Sequence, residues 1–358
     1  MTTLHTALVA ASALGVTVAA MLGLRPIAYI VDLLDRPGGH KNHHGEVPIV
    51  GGIAMLLGLV VGIASTPEAM SGLSSFLVSA TLLVIVGMLD DRFGLPATTR
   101  LVAQCAVVLP MFFGAGVRLE NLGDLLGFGD LHTGMASLFV TALVTVAAIN
   151  SFNMLDGLDG LAGGVALVAV VSVLSLTTPV AGVATPTMAA ALAGCITGFL
   201  VFNLPLRANR RMRCFMGDSG STLLGFSLAW LCISVSQDRG AHAAPIMMVW
   251  LVAVPATDVV WTTIRRLARG RSPLKPDNEH LHHLLRRAGL GVRATFATLV
   301  MVAALFGLVG RLLNSYDVPD HWSFACLAVA GMLLVLGCRY AHLFIRLVPS
   351  ALRRAPSA

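Results

Sequence analysis

Long apolar segments recur along the whole chain and constrain its fold more than any other feature of the sequence. A helix can cross a bilayer with about 20 mostly apolar residues, because it satisfies its backbone hydrogen bonds internally where water is absent. Only 12% of the residues are charged, and polar segments separate the apolar ones. We therefore predict an all-α, polytopic membrane bundle that forms one domain over residues 1–358. Eleven transmembrane helices are expected, near residues 4–24, 48–65, 74–89, 99–117, 134–149, 161–178, 185–204, 219–236, 244–263, 294–313 and 322–345.

The basic residues predict how these helices are oriented. With the N-terminus outside, all but three of the 24 Lys and Arg residues fall in or beside cytoplasmic segments, the exceptions being Arg118, Arg239 and Arg311. Lys and Arg close to helix ends resist translocation. This bias predicts a periplasmic N-terminus and a cytoplasmic C-terminus. The net charge of +6 then matches anionic lipid head groups and calls for no nucleic-acid partner.

Acidic residues cluster on the same side as the basic ones, although no inside rule governs acids. Asp90 and Asp91 stand side by side where the third predicted helix ends. Adjacent carboxylates repel each other, so such a pair is usually stabilised by a cation or used in proton transfer. The alternative is a solvated helix end with Arg92 as the counter-ion.

A second polar group follows the fifth predicted helix. Asn150, Asn153, Asp156 and Asp159 are three residues apart, which places them on one face if the segment is helical. Oxygen donors of this kind suit Mg²⁺, which prefers one or two carboxylates together with phosphate and water. The alternative is a helix start with caps and small-residue packing.

A third group, Phe215 to Thr222, directly precedes the eighth predicted helix. Gly217, Asp218 and Ser219 lie at its start, where exposed amides and the positive helix end favour a phosphate or a metal-bound pyrophosphate. Phe215 could stack on a base. Asp218 and Ser219 are also ordinary N-cap residues, and that alternative stays open.

The longest polar segment, residues 264–293, is predicted to be the longest cytoplasmic loop and carries three histidines, His280, His282 and His283. Their spacing lacks the i, i+4 pair of a zinc protease, so we favour binding of pyrophosphate by the imidazoles together with Arg286 or Arg287. Zinc and a solvated loop are the alternatives. Asp258, inside the ninth predicted helix near Pro255, is either structural or lines the site.

Taken together, these motifs resemble the polyprenyl-phosphate N-acetylhexosamine-1-phosphate transferase family (glycosyltransferase family 4), most closely its bacterial branch that uses N-acetylglucosamine. The motifs that carry the resemblance are Leu89–Arg92, Asn150–Leu161, Phe215–Thr222 and His280–His283, with further similarity at Pro48–Gly52, Arg207–Arg213 and Arg271–His280. The resemblance implies ten or eleven helices around a cytoplasmic cleft in the bacterial inner membrane, and a requirement for Mg²⁺ or Mn²⁺. It also implies transfer of N-acetylglucosamine 1-phosphate from UDP-N-acetylglucosamine to undecaprenyl phosphate with release of UMP, which begins a lipid-linked surface polysaccharide such as O-antigen. A homodimer is an open alternative to a single copy.

The same resemblance implies roles for individual residues. Asp218 resembles the principal metal ligand and Asn153 a second one. Asp90 and Asp91 match a pair that positions the metal or deprotonates the lipid phosphate. The remaining positions match substrate contacts: Asp156, Asp159, Phe215 and Asn203 near the uridine, and His280, His282 and His283 near the phosphates.

Two other functions stay open at this point. The same chemistry could use another UDP-N-acetylhexosamine or UDP-muramoyl-pentapeptide. A secondary transporter would also place polar residues among helices, but it would keep its carboxylates near the membrane midplane and often repeat its halves. Here only Asp258 lies well within an apolar segment.

Overall fold

The chain folds into a bundle of helices. The computed structural model describes residues 3–36, 45–177, 182–204, 212–238, 243–272 and 279–344. Within these residues the only paired strands are β1, Leu34–Asp35, and β2, Val47–Pro48, which are antiparallel. The helices are α1 Thr3–Ile30, α2 Gly51–Ala64, α3 Pro67–Phe93, α4 Ala97–Ala106 with a π-helical continuation at Pro110–Gly114, α5 Ser137–Leu155 after a 3₁₀ turn at Gly134–Ala136, α6 Leu161–Leu176, α7 Ala184–Asn203, α8 Gly217–Ser236, α9 Pro245–Leu251, α10 Ala253–Ala268, α11 Leu281–Arg287, α12 Val292–Ser315, α13 Asp320–Arg339 and α14 Ala341–Phe344.

Every predicted apolar segment contains a helix, which confirms the all-α polytopic class. Within the described residues, eight helices are long and apolar enough to cross a membrane, and a ninth span results if α9 and α10 count as one. The apolar helices α2 and α6 have only 14 and 16 residues. At about 1.5 Å per residue they are shorter than the roughly 30 Å hydrocarbon core. The count of eleven spans therefore stays a prediction.

Helix α8 lies at the centre of the bundle, and most of its side chains are buried. It packs against α3, α5 and α2, among others. Glycines allow these close approaches: the Cβ of an alanine at Gly52 would lie 2.4 Å from the backbone nitrogen of Gly220, and one at Gly225 would lie 2.6 Å from the Cα of Ile149. The start of α8 is thereby held at a fixed distance from its neighbours.

The ninth predicted helix is not a single straight span. α9 and α10 meet at 86°, and Val252 separates them. Pro255 has no backbone N–H for the carbonyl of Leu251 four residues earlier, so the proline explains why the helix breaks there. The polar segment 264–293 is also not a simple loop. It contains the end of α10 and the whole of α11, while residues 273–278 lie outside the described part.

The bundle has two chemically different ends. The acidic group around Asp218 lies where α8 begins, whereas Gln237, just beyond its other end, accepts backbone hydrogen bonds from Glu120 and Asn121, each 3.0 Å long. α8 has 20 residues, so the two ends are about 30 Å apart. Arg118 and Arg311 lie at the end with Gln237; Arg239 is outside the described residues. Which end faces the cytoplasm stays a prediction.

Candidate functional site

The start of α8 is capped by a side chain from another helix. Asp91, near the end of α3, accepts hydrogen bonds from the backbone N–H groups of Asp218 at 2.8 Å and Ser219 at 3.3 Å. The first amides of a helix have no partner within it, and a carboxylate there also meets the positive end of the helix dipole. Gly217 allows this approach, since its φ is +71° and a Cβ would lie 2.4 Å from Asp91 Oδ2. Asp91 therefore fixes the position of Asp218.

Asp90 has different partners from its neighbour. Its buried carboxylate accepts a hydrogen bond from the backbone N–H of Leu95 at 2.7 Å and forms an ion pair with Arg100 Nη1 at 2.9 Å. The same Nη1 lies 3.6 Å from Asp218 Oδ2, so one guanidinium is shared between the two acids. Arg100 was not among the predicted site residues. In the sequence, Arg100 could be recognised only as a basic residue that follows the acidic pair after a short connection.

Helix α5 brings amides to the same place. Asn153 Nδ2 donates to Asp218 Oδ1 at 2.7 Å and to Ser221 Oγ at 3.1 Å. Asn150 instead turns to the side chain of Gln104, 2.7 Å away. The helix ends at Leu155, so the polar stripe inferred from the spacing of three is helical only over its first half.

Asp156 follows the end of α5 and is partly buried among other acids. Burial, together with the negative charges of Asp218, Asp91 and Asp159, raises the pKa of Asp156 well above its ordinary range. A cation would stabilise such a concentration of carboxylates. The part of the chain that the structure describes holds no group of three or more His, Cys, Asp or Glu side chains arranged for a metal ion. A cation here would therefore need ligands of other kinds as well.

Arg213 joins two of the predicted site residues. In the sequence it ends the basic segment Arg207–Arg213, which carries part of the resemblance, but it was not predicted as a site residue. Its guanidinium forms an ion pair with Asp159 and lies over the ring of Phe215, 4.7 Å from the centroid. The buried Nε–H of Arg213 has no hydrogen-bond partner among the described residues. Buried Asn203 braces the same region: its Oδ1 accepts from the backbone of Gly160 at 2.7 Å and its Nδ2 donates to the Cys214 carbonyl at 2.8 Å.

The histidine motif touches the acidic group through Gly157. A Cβ on Gly157 would lie 2.4 Å from His282 Nε2, so the imidazole occupies the space that a side chain at residue 157 would need. His282 is only 1% exposed, and within the described residues neither of its ring nitrogens has a hydrogen-bond partner. Burial, and then the neighbouring His283 and His280, lowers the pKa of His282 to about 3, so this ring is neutral at physiological pH.

The other predicted residues lie as follows. The ring centroids of His282 and His283 are 4.1 Å apart. Arg286 donates to the carbonyl of Leu290, 2.7 Å away, just beyond its own helix. Ser219 is buried between α2 and α3, and an alanine Cβ at Gly52 would come within 2.5 Å of its Oγ. Four separate sequence motifs therefore meet at one end of the bundle, where carboxylates, amides, arginines and imidazoles suit a cation together with phosphate groups.

Known proteins are similar to this chain in sequence. Residues 73–236, which include the acidic group but not the histidines, match glycosyl transferase family 4. The chain is 33% identical to the undecaprenyl-phosphate alpha-N-acetylglucosaminyl 1-phosphate transferase of Yersinia pestis, over 92% of each chain. It is also 33% identical to the protein of that name from Escherichia coli K12, over 92% of this chain and 91% of the relative. The Pasteurella multocida protein of the same name is 35% identical over 85% of each chain.

Proposed function

Because the chain belongs to glycosyl transferase family 4, we propose that it transfers N-acetylglucosamine 1-phosphate from UDP-N-acetylglucosamine to undecaprenyl phosphate. The observation that carries this proposal is the position of Asp218. It lies at the amino end of α8 within hydrogen-bond reach of Asn153 and beside Arg100. The names of the relatives supply the substrates, since those proteins are transferases of this kind acting on undecaprenyl phosphate.

In the proposed reaction a phosphate oxygen of the acceptor attacks the β-phosphorus of the UDP-sugar. The bond from that phosphorus to the oxygen bridging it to the α-phosphate breaks, and UMP leaves with the bonding electrons. A phosphate monoester has a second pKa of about 6, so the acceptor is already mostly ionised at neutral pH and needs no strong base. In such a transfer the protein contributes alignment and compensation of negative charge.

The described residues fit a divalent cation, Mg²⁺ with Mn²⁺ as the alternative. Mg²⁺ is usually held by one or two carboxylates plus substrate phosphates and water, so Asp218 with the side-chain oxygen of Asn153 is a sufficient protein set. Asn153 now directs its Nδ2 to Asp218, and rotating the amide would present its oxygen instead. When bound, the ion would neutralise phosphate charge and polarise the phosphoryl oxygens.

Arginine and phenylalanine side chains would bind the diphosphate and the uracil of the donor. Arg100, shared between Asp90 and Asp218, is placed to contact the diphosphate when the ion balances those acids. The ring of Phe215, over which the Arg213 guanidinium lies, would stack on uracil. We propose that Asp91 positions α8 and does not act as a base, because both of its oxygens accept backbone amides.

A lipid acceptor requires an apolar surface beside the site. Helix α10 carries one: Val260, Ile264 and Leu267 are each more than half exposed, at spacings that place them on one face. The opposite face buries Asp258, and α10 leads directly towards the histidine motif. We propose that this apolar face borders the path of the polyprenyl chain. The Lys and Arg distribution supports an active site on the cytoplasmic face of the bacterial inner membrane.

The test is release of UMP by detergent-purified protein given undecaprenyl phosphate and Mg²⁺. UDP-N-acetylglucosamine, UDP-N-acetylgalactosamine and UDP-muramoyl-pentapeptide are compared as donors. Turnover with the first donor alone is expected, whereas turnover with another would keep the chemistry and change the sugar. No turnover with any donor, in folded protein, would overturn the proposal.

Two controls test the metal and the orientation. Asp218→Asn should abolish turnover at saturating Mg²⁺, while Asp317→Asn makes the same change beyond α12 at the other end and should preserve turnover. Wild-type turnover in Asp218→Asn would show that the metal assignment is wrong. A reporter fused after Ala358 should be cytoplasmic, and a periplasmic reporter would refute the proposed orientation.

A further inference from the structure

Asp258 is a buried carboxylate that lies outside the acidic group described above. It is 1% exposed and belongs to α10, six residues after the break that separates this helix from α9. Carboxylates are costly within a membrane protein's apolar core and are kept where they have a specific partner. The partners of Asp258 therefore indicate what it does.

Both carboxylate oxygens of Asp258 are directed to the start of α11. Oδ2 lies 3.1 Å from Nδ1 of His280, and Oδ1 accepts the backbone N–H of Leu281 at 2.9 Å. The residue before His280 is held from the same side, because Arg265 of α10 and Arg269, directly after α10, both form ion pairs with Glu279. Three successive residues, 279–281, are thus held by α10 and the residue that follows it.

This contact fixes which nitrogen of His280 carries a proton. An ionised carboxylate only accepts hydrogen bonds, so Nδ1 must be the protonated nitrogen. Nε2, on the far side of the ring, is then the nitrogen that the motif presents away from Asp258. The His280 ring is nearly parallel to that of His282, at 6° and with centroids 6.0 Å apart, and His282 in turn contacts Gly157 beside Asp156.

We propose that Asp258 is a positioning residue of the transferase, which fixes the orientation and the Nδ1–H tautomer of His280 so that the unprotonated Nε2 accepts a hydrogen bond from a hydroxyl group of the UDP-sugar. The proposal rests on the function proposed above. It assigns a role to a buried carboxylate of α10 that the proposed metal and nucleotide groups do not use. Asp258 acts through His280 and does not itself contact the substrate.

A purely structural role is the competing explanation, since Asp258 also caps α11. Asp258→Asn separates the two. The asparagine oxygen can still accept the N–H of Leu281, so the cap is kept, but its NH₂ group would face Nδ1 of His280 and donate to it. The ring proton would then move to Nε2, which is the opposite tautomer.

The first measurement is the tautomer of His280 by NMR of the imidazole nitrogens in protein labelled with ¹⁵N-histidine, with His280→Gln identifying the signal. Wild-type protein should show Nδ1–H and Asp258→Asn should show Nε2–H. An Nε2–H tautomer in the wild type would overturn the proposal even if the variant failed to fold. This readout does not depend on activity, so it is distinguishable from a failure of the proposed function, which would appear as wild-type protein that releases no UMP.

The second measurement is kcat/KM for UDP-N-acetylglucosamine. Asp258→Asn should lower it roughly 10–100-fold, the usual loss when the partner that orients a site imidazole is changed. Asp320→Asn is the matched control, because Asp320 also accepts a backbone hydrogen bond, from Asp124 at 3.1 Å, but at the opposite end of the bundle. Its kcat/KM should equal that of the wild type.

A double-mutant cycle shows whether Asp258 works through His280. In the His280→Gln background, Asp258→Asn should change kcat/KM by less than about twofold, because the group it positions is already absent. Full additivity of the two changes, or wild-type kcat/KM in Asp258→Asn alone, would overturn the proposal.

Discussion

Replacing Gly87 with alanine should displace the start of α8 and inactivate the enzyme. α3 and α8 cross at Gly87, where an added Cβ would lie 2.4 Å from the Cα and the nitrogen of Ser219 and 2.8 Å from the carbonyl carbon of Asp218. Carbon atoms in favourable contact are about 3.5–4.0 Å apart. All three contacts are backbone atoms, which cannot rotate away as a side chain would. The two helices must therefore separate locally by about 1 Å.

Two opposing terms set the size of the effect on stability. Overpacking of a tight core costs about 1–3 kcal/mol, whereas alanine gains up to about 1 kcal/mol over glycine in helix propensity. The expected net change is a loss of up to about 2 kcal/mol in the free energy of unfolding. The effect on rate should be larger, since a misplacement of about 1 Å in a catalytic group can lower turnover about 100-fold.

The matched controls are Gly15→Ala and Gly337→Ala. Both glycines are exposed and helical, and a Cβ at either would meet nothing within 4 Å. These variants should gain up to about 1 kcal/mol and keep wild-type turnover. Thermal unfolding in detergent and UMP release would be measured for all three. Wild-type values for Gly87→Ala, or an equal loss of turnover in the controls, would refute the reasoning.

Three further changes test other contacts of the site. Arg213→Gln should raise KM for UDP-N-acetylglucosamine roughly tenfold with little change in kcat, since it removes the contacts to Asp159 and Phe215; an unchanged KM would contradict this. Asp91→Ala should lower the free energy of unfolding by about 2 kcal/mol, because it leaves two helix amides without an acceptor, and Asp91→Asn should lower it by less. If Asp91 were a general base, both variants should be equally inactive and as stable as the wild type. The pKa of His282 in the folded protein, about 3, lies below its ordinary value. The free energy of unfolding should therefore fall as the pH drops below about 6.5, by at most about 1.4 kcal/mol per pH unit. His282→Gln should flatten this slope when unfolding is measured as a function of pH.

Much of the fold could be predicted because it depends on local composition. Each predicted apolar segment contains a helix, and Pro255 is the residue that indicates a break in the ninth one. The 86° angle at Val252 was not predictable, because a missing hydrogen bond permits a break but packing decides its size. The end of α5 at Leu155 was not predictable either, because polar residues three apart fit both a continuing helix and a turn that ends at Gly160, whose φ is +75°.

The site was predictable as a set of residue types but not as a set of contacts. Asp218, Asn153 and His282 were identified from motifs, and the structure brings their elements together. Arg100 and Arg213 were not predicted as site residues, because basic residues on that side were already explained by orientation. Only tertiary contacts distinguish an arginine that binds lipid head groups from one that lies 2.9 Å from a buried Asp90.

The two halves of the site are held in the same way. Asp91 reaches from α3 to cap the first amides of α8, and Asp258 reaches from α10 to cap the first turn of α11. In each case a carboxylate on one helix satisfies amides that another helix leaves unpaired at its start, and the next functional side chain lies at that start. Moving α3 or α10 would therefore move Asp218 or His280 with it. This coupling explains why residues of the membrane spans, which need not touch a substrate, should control the rate at one end of the bundle.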